Sequence, residues 1–402
     1  MSQATAAPLA EGDGVSWSRA FIALCLVSLL SGFITSPFMA LFPVYVEADL
    51  GRVPLFTANL RALMLMLGGF SALIGGRLCD LLGLKRTLMV GLLGGVLNGL
   101  VFHSASPWAL FLLVFLIGFT TGPWTTAGQS YLISSVRPAQ LGMGGAFYFL
   151  SGNLGHALGS LFTGVLKETW SFAQLGTLMS GGMAGVCLLA LWLLPSTEAA
   201  RSQGGLALRA VYLPLLRQGP AQLLIALRLF ITSFWGMASL LLPLLIYRVS
   251  HSESMPAYYA SVSLAVAAAC QLLTGVLRDR YGRLWPLLIS GSGFALCGVG
   301  VGLCWQSLPA LFAFGTGLTA TAWAISTLVP SLINEVAGPQ EKSRLVGLLH
   351  LVWSSAMVLG NLLGGSLVEI DPGLPFLGGA LLAAAGTACA WLLCRRLDTK
   401  HS

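Results

Sequence analysis

The chain has 402 residues, of which 56% are hydrophobic and only 9% are charged, and its mean hydropathy is +0.83. Soluble domains carry about 25% charged residues, so this composition excludes a soluble globular protein, and the high apolar content excludes a disordered one. The net charge of +7 would raise the question of nucleic acid in a soluble chain, but membrane topology explains it better, and no nucleic-acid partner is expected.

Twelve apolar runs follow one another along the chain, and each is long enough to cross a bilayer, which takes about 20 residues. They lie at residues 20–46, 57–78, 87–105, 108–134, 141–166, 173–194, 221–247, 257–277, 285–304, 308–333, 344–367 and 374–394. Backbone polar groups must be hydrogen-bonded inside lipid, so the runs are predicted to be helices. The predicted organisation is an N-terminal tail (1–19), a six-helix bundle (20–194), a linker (195–220), a second six-helix bundle (221–394) and a C-terminal tail (395–402).

Lys and Arg residues predict the orientation, because cytoplasmic loops carry an excess of them. With the N-terminus inside, sixteen of the 21 basic residues face the cytoplasm, four lie at the outer side, and Arg228 lies within a run. Both termini are therefore expected to be cytoplasmic. The lipid bilayer is the expected surrounding, as the plasma membrane or, in a bacterium, the inner membrane.

The two halves of the chain repeat each other at offsets of 197 to 205 residues. The segment GRLCDLLGLKR at 76–86 recurs as GVLRDRYGRLW at 275–285, and FITS at 33–36 recurs at 230–233. LGHALGS at 154–160 recurs as LGNLLGG. Six-span halves repeated in parallel are an architecture of secondary transporters, in which the substrate site lies between the halves near the bilayer midplane.

The repeated loop after the second and eighth spans combines glycines with a carboxylate. Gly76 lets two helix ends approach closely, and Gly83 permits the conformation of a short reversal. Asp80 and Asp279 lie at span ends, where a carboxylate can accept hydrogen bonds from a neighbouring helix N-terminus. One such loop could be an ordinary charged hairpin, but two copies at equivalent positions favour a functional motif.

These loops resemble the signature of the major facilitator superfamily (MFS), G-x-L-x-D-x-x-G-(R/K)-(R/K). The matching residues are Gly76, Leu78, Asp80, Gly83 and Lys85, with Arg86 adjacent, and then Gly275, Leu277, Asp279, Gly282 and Arg283. The resemblance implies an all-α membrane protein with twelve transmembrane helices in two six-helix bundles related by a pseudo-two-fold axis. It also implies that the loops form a gate of charge contacts, which lock the outward-facing state and break as the halves rock.

The fifth span resembles the exporter motif G-x-x-x-G-P-x-x-G-G of the same family. Gly155 and Gly159 match this motif, but His156 replaces its proline. Proton antiporters of the family often carry an arginine four residues before a glycine of the fourth span, where this chain has Val114. The resemblance therefore favours export somewhat over uptake, while these departures argue against the usual proton-linked drug antiport.

Few charged groups are available within the predicted spans. All 14 acidic residues fall in loops or at span ends, which leaves no carboxylate in the membrane to carry a proton. His103, His156 and His350 are the candidate proton carriers, because imidazole titrates near neutral pH, and for each the alternative is a neutral packing residue. His156 has the strongest claim, since its counterpart in the second half is the polar residue Asn361. Arg228 is expected to snorkel to the cytoplasmic surface, and the alternative is that it binds an anionic group or stabilises a gate.

Uncharged polar and aromatic side chains cluster on the spans that line the cavity in the family. The candidates are Thr35, Ser36, Thr121, Trp124, Gln129, Tyr148, Asn153, Arg228, Thr232, Trp235, Trp323, Trp353 and Asn361, together with Thr125 and Ser326. Such a lining suits a neutral, amphipathic or sugar-like solute. Ser and Thr also mediate ordinary helix packing in membranes, so the cluster carries more weight than any single residue.

The sequence therefore predicts a secondary active or facilitative transporter of a small organic solute that works by alternating access as a monomer, with protons as a candidate co-substrate. No enzymatic constellation such as HExxH, paired intramembrane Asp or Ser/His is present, and neither a cofactor nor a metal site is expected. The alternatives are a flippase for lipids or other lipophiles, and a transport-inactive sensor or scaffold with the same fold.

Overall fold

The structure is a computed structural model of the chain. It describes residues 17–52, 54–167, 169–196, 208–251 and 255–398. The predicted N-terminal tail up to residue 16, the linker residues 197–207 and the C-terminal residues 399–402 lie outside the described residues.

The described residues form thirteen α-helices and no β-strand. The helices are α1 (Arg19–Val44), α2 (Pro54–Leu82), α3 (Leu84–Val101), α4 (Pro107–Ser135), α5 (Leu141–Lys167), α6 (Phe172–Leu193), α7 (Leu208–Leu216), α8 (Gly219–Ser250), α9 (Met255–Tyr281), α10 (Leu284–Cys304), α11 (Leu308–Val336), α12 (Lys342–Val368) and α13 (Leu374–Asp398). A π-helical turn (Tyr45–Asp49) follows α1, and a 3-10 turn (Pro138–Gln140) precedes α5.

Eleven of these helices are long and apolar enough to cross a membrane. α5 has 27 residues, a comparable length, and packs between α1 and α9. The predicted architecture of twelve long helices is thus confirmed. Several helices extend beyond the apolar runs; α2, for example, continues to Leu82, whereas the run ends at residue 78. Hydropathy marks only the apolar part of a helix, whereas backbone hydrogen bonding continues through the charged residues beyond it.

The predicted linker contains a short helix that the sequence analysis did not anticipate. In α7, Tyr212 and Leu215 are buried, and the Tyr212 hydroxyl donates a hydrogen bond to the Leu73 carbonyl oxygen at 2.5 Å. Burial raises the pKa of this hydroxyl above its ordinary value, so it remains a donor at neutral pH. The linker is therefore attached to the C-terminal half of α2 at this point.

The packing of the long helices repeats between the halves. In the first half α1 packs against α5 and α6, α3 against α4 and α6, and α2 against α4. In the second half α8 packs against α12 and α13, α10 against α11 and α13, and α9 against α11. The halves meet where α2 contacts α12 and where α5 contacts α9, which are equivalent pairs under the same repeat. Two six-helix bundles related by a pseudo-two-fold axis explain this pattern.

One face of the molecule carries both the start of α1 and the end of α13, and we call it the terminal face. Ser18, the N-cap of α1, donates a hydrogen bond to the carbonyl oxygen of Ser135 at the end of α4. Arg283, the N-cap of α10, forms an ion pair with Asp398 at the end of α13. The loops of the repeated motif lie at this face.

Glycine seams hold the helices together within each half. A Cβ atom built on Gly155 of α5 would lie 2.1 Å from the Leu29 carbonyl oxygen of α1. In the second half, a Cβ atom on Gly360 of α12 would lie 2.0 Å from the Ser233 carbonyl oxygen of α8. Small residues drive helix association in membranes because they let backbones approach closely. The glycines of the predicted exporter-like segment thus have a packing role between α1 and α5.

Gly155→Ala is expected to lower the thermal stability of the purified protein, because the added methyl group would meet the backbone of α1. Overpacking of this kind costs about 1–3 kcal/mol, which a thermal-unfolding assay in detergent detects. Gly181→Ala is the matched control, since a Cβ atom at this α6 position would meet nothing within 4 Å. Equal melting temperatures for the two variants would contradict the assignment of Gly155 to a tight seam.

Candidate functional site

A cavity of about 350 Å³ lies between the two halves. Its walls come from α1, α4 and α5 of the first half and from α8, α11 and α12 of the second. The lining residues are Ser28, Trp124, Thr125, Gln129, Tyr148, Phe149, Gly152, Asn153, His156, Arg228, Ile231, Thr232, Trp235, Ala322, Trp323, Ser326, Val329, His350 and Trp353. Six of these side chains are aromatic, and Arg228 is the one Lys or Arg among them.

Most of the predicted substrate-cavity residues lie together in this lining. They are Trp124, Gln129, Tyr148, Asn153, Arg228, Thr232, Trp235, Trp323 and Trp353, with Thr125 and Ser326 of the same cluster. His156, the candidate proton carrier, also lines the cavity. The expected juxtaposition of uncharged polar groups and tryptophans from the two halves is therefore present in the structure.

Four of the predicted residues lie outside the cavity lining in the structure. The Thr35 hydroxyl donates to the Ser31 carbonyl oxygen at 2.8 Å, and the Thr121 hydroxyl donates to its own helix in the same way. Ser36 bonds the His156 carbonyl oxygen of α5 at 2.9 Å, which makes it a packing contact between α1 and α5. Asn361 follows Gly360 in the seam between α12 and α8. Residue type alone does not tell which face of a helix meets the cavity.

His350 lines the cavity, although the sequence analysis did not place it among the substrate-cavity candidates. Its Nε2 atom is buried and has no hydrogen-bond partner among the described residues. The available signal was its spacing from Trp353, a predicted cavity residue. Residues three apart share a helix face, so Trp353 placed His350 on the cavity side.

Arg228 points into the cavity and does not snorkel to the membrane surface. It lies nine residues after Gly219, about 14 Å along α8. Its Nη1 atom is 3.5 Å from the Ser326 hydroxyl oxygen, which is the limit of a hydrogen bond. Its buried Nε atom has no hydrogen-bond partner in the part of the chain that the structure describes. The geometry favours the alternative interpretation, in which Arg228 binds an anionic group or stabilises a gate.

The first copy of the loop motif makes an ion pair across the two halves. Asp80, near the end of α2, accepts a hydrogen bond from Arg344 Nε, near the start of α12, at 2.6 Å. Arg77 Nη1 lies 3.5 Å from the same carboxylate, and both Arg77 and Asp80 are buried. Gly76 permits this approach, because a Cβ atom there would lie 2.8 Å from the Ser343 carbonyl oxygen.

The second copy crosses the halves with different chemistry. Asp279, near the end of α9, accepts hydrogen bonds from the backbone N–H groups of Gly142 at 3.0 Å and Met143 at 2.9 Å. These amides belong to the first turn of α5, where backbone donors lack partners within the helix and the helix dipole favours a negative charge. The sequence predicted this kind of carboxylate contact from the position of Asp279 at a span end.

The remaining motif residues act within their own halves. Gly83 and Gly282 have φ angles of +86° and +77°, as their turns require. Lys85 Nζ donates to the Leu191 carbonyl oxygen at 2.7 Å, and Arg86 is exposed. Arg283 pairs with Glu335 of α11 and with Asp398 of α13. The carboxylates therefore cross between the halves, whereas Lys85 and Arg283 attach each loop to its own half.

Together these contacts close the cavity toward the terminal face. α2 and α12 are joined by the Asp80–Arg344 pair, and α5 and α9 are joined by the cap from Asp279. Gly275 belongs to the same closure, because a Cβ atom there would lie 3.0 Å from the Gly142 carbonyl oxygen of α5. Because each contact has one partner in each half, both contacts must break if the halves separate at this face.

Comparison with known proteins relates this architecture to a family. A model of the Major Facilitator Superfamily matches residues 24–267 and 224–402. Tetracycline resistance protein, class G, of Vibrio anguillarum is 27% identical over 173 residues, which cover 42% of each chain. Synaptic vesicle glycoprotein 2C of Mus musculus is 31% identical over 135 residues, covering 32% of this chain and 17% of that protein. The matched segments span less than half the length of these relatives.

Solved structures match over nearly the whole chain. The crystal structure of the human organic anion transporter MFSD10 (TETRAN) gives a TM-score of 0.79 at 15% identity, covering 92% of this chain and 99% of that chain. The E. coli fucose:proton symporter FucP gives a TM-score of 0.75 at 13% identity, covering 93% and 98%. At these identities the likeness is one of fold.

Asp279→Asn is expected to speed hydrogen exchange at the start of α5, because the neutral amide is a weaker acceptor for the Gly142 and Met143 amides. A helix cap contributes about 1 kcal/mol, so exchange of these amides should rise about fivefold in a mass-spectrometric measurement. The N-terminus of α6 is the internal control, since Ser171 and Gln174 cap it locally. Unchanged exchange at α5 would show that Asp279 does not hold this helix end.

Proposed function

The chain belongs to the Major Facilitator Superfamily, and we propose that it carries a small organic solute across the membrane by alternating access. One observation carries this proposal: the cavity lies between two equivalent bundles and is closed at one face by contacts that join the bundles. The family consists of transporters, and the chain is an integral membrane protein. The class of solute, the direction of transport and the transport mechanism are our proposals.

The proposed mechanism is a rocking of the two halves about the cavity. In the state described by the structure, the Asp80–Arg344 pair and the Asp279 cap hold the terminal face closed. Rocking would break both contacts and open the cavity to this face, as in transporters built from repeated halves. We assign the terminal face to the cytoplasm, because the excess of basic residues lies in its loops.

We propose export as the direction, from the plasma membrane of the cell, or the inner membrane if the cell is a bacterium. The support is the partial exporter motif at Gly155 and Gly159 and the relatedness to tetracycline resistance proteins over 42% of the chain. His156 lines the cavity and is the proposed proton carrier if transport is coupled to protons. The intact cross-half contacts favour a working transporter over an inactive sensor or scaffold.

Asp80→Asn is expected to shift the protein toward a state that is open at the terminal face. Spin labels at Ala139→Cys and Gln340→Cys report this opening, because the two exposed positions precede α5 and α12 in opposite halves. Cys304, which is exposed, is replaced by serine in the labelled protein. The distance distribution should gain a longer component in Asp80→Asn, because the neutral amide loses the charge-assisted bond to Arg344.

Asp371→Asn is the matched control for this measurement. Its carboxylate accepts a hydrogen bond within the second half, from the Gly373 amide at 2.7 Å, and forms no hydrogen bond or ion pair with the described residues of the first half. Efflux of tetracycline, ethidium and fluorescein from vesicles containing each variant then tests the function itself. If Asp80→Asn left both the distances and the efflux unchanged at equal membrane levels, the gate assignment would be wrong.

A further inference from the structure

Arg228 places a positive charge in the cavity without a carboxylate to balance it. The lining contains two histidines, a tyrosine, amides, hydroxyls and tryptophans, but no Asp or Glu within the described residues. Asp80 and Asp279, the carboxylates of the two loop motifs, are held at the terminal face by their own partners. The cavity therefore has a net positive charge at its second-half wall.

The polar atoms at this wall are incompletely bonded. Arg228 Nε is buried without a partner, and Nη1 has the Ser326 hydroxyl at 3.5 Å. His350 Nε2 is also buried without a partner in the described chain, and His350 lines the same cavity from α12. A guanidinium group has five N–H donors in a planar fork. Apart from the Nη1 contact with Ser326, the Arg228 terminal nitrogens have no hydrogen bond to the described chain, so they can donate to a molecule in the cavity that Arg228 lines.

A charge inside a membrane bundle is costly and is normally paired or used for function. Since the described lining supplies no counter-charge, the missing charge must come from what the cavity holds. Resting on the proposed function, we propose that the transported solute is a small aromatic organic anion whose carboxylate or equivalent acidic group binds Arg228. A planar guanidinium matches a carboxylate through two parallel hydrogen bonds.

The aromatic residues of the lining indicate the chemistry of the solute away from its acidic group. Trp124, Tyr148 and Phe149 come from the first half, while Trp235, Trp323 and Trp353 come from the second. Aromatic rings stack on one another in offset or edge-to-face geometry. A volume of about 350 Å³ is within the range of small-molecule pockets. An inorganic anion would satisfy Arg228 but would make no stacking contact with these rings.

The experiment is isothermal titration of the purified full-length protein with 2-naphthoate and with 2-naphthamide, its neutral isostere. A hydrogen bond to a charged group contributes about 1.5–3 kcal/mol, so naphthoate should bind at least about tenfold more tightly. Cyclohexanecarboxylate keeps the charge without the aromatic ring and should bind more weakly than naphthoate. Sodium chloride at the same concentration should not displace naphthoate.

Two variants of Arg228 and one control variant test whether Arg228 causes the preference for naphthoate over naphthamide. Arg228→Gln should remove the preference for naphthoate over naphthamide, whereas Arg228→Lys should keep a reduced preference, because it retains the charge without the planar fork. Arg280→Gln is the control, since it removes the same charge from an exposed position, and it should bind naphthoate as the unaltered protein does. The Lys variant and the isostere comparison still decide the matter if Arg228→Gln does not fold.

The proposal is overturned if naphthoate and naphthamide bind the unaltered protein equally, if neither binds, or if Arg228→Gln retains the preference. Displacement by chloride would also overturn it in favour of an inorganic-anion site. A transport assay in vesicles distinguishes a failure of this inference from a failure of the proposed function. If naphthoate binds but neither naphthoate nor any other solute moves across the vesicle membrane, the anion site is supported and the proposed transport function is contradicted. If a neutral solute is transported but naphthoate does not bind, the transport function is supported and the anion site is contradicted.

Discussion

A charge inside the bundle has to be met by an opposite charge or by a backbone dipole, because lipid provides neither. Asp80 is met by Arg344, and Asp279 is met by the first amides of α5. The shortest contact of each carboxylate comes from the opposite half, although an arginine of the same half also lies within 3.5 Å of each. The same requirement that stabilises these carboxylates therefore also closes the terminal face, and it leaves Arg228 as the cavity charge that still lacks a balancing group.

The two gate contacts are equivalent in position but not in chemistry. At an offset of 201 residues, Met143 of α5 corresponds to Arg344 of α12. The first copy therefore uses a side-chain cation, while the second uses backbone N–H groups and the helix dipole. The ion pair depends on two side-chain charges, of which Asp80 is buried, whereas the helix cap depends on the backbone geometry of the first turn of α5. The pseudo-symmetry of the fold thus does not make the two contacts energetically equal.

The sequence predicted the fold well because the fold depends on length, hydropathy and repetition. It also located Asp80 and Asp279, since both follow an apolar run and precede a turn glycine. It did not predict the partner of Asp80, because Arg344 is 264 residues away and only the packing of α2 against α12 brings the two together. The helix α7 was missed because its stability comes from burial of Tyr212 and Leu215 against other helices, which no local pattern records.

The cavity lining was predicted less well, and the repeat shows why. Arg228 corresponds to Ser31 at an offset of 197 residues, so equivalent positions in the two halves hold a cation and a fully buried serine. The backbone fold is repeated, but the cavity chemistry is not. If the solute is an anion held by Arg228, its charged end is bound by the second half and the first half contributes uncharged groups. Rocking would then change mainly the contacts with the first half, so release should depend on residues such as Trp124 and Asn153.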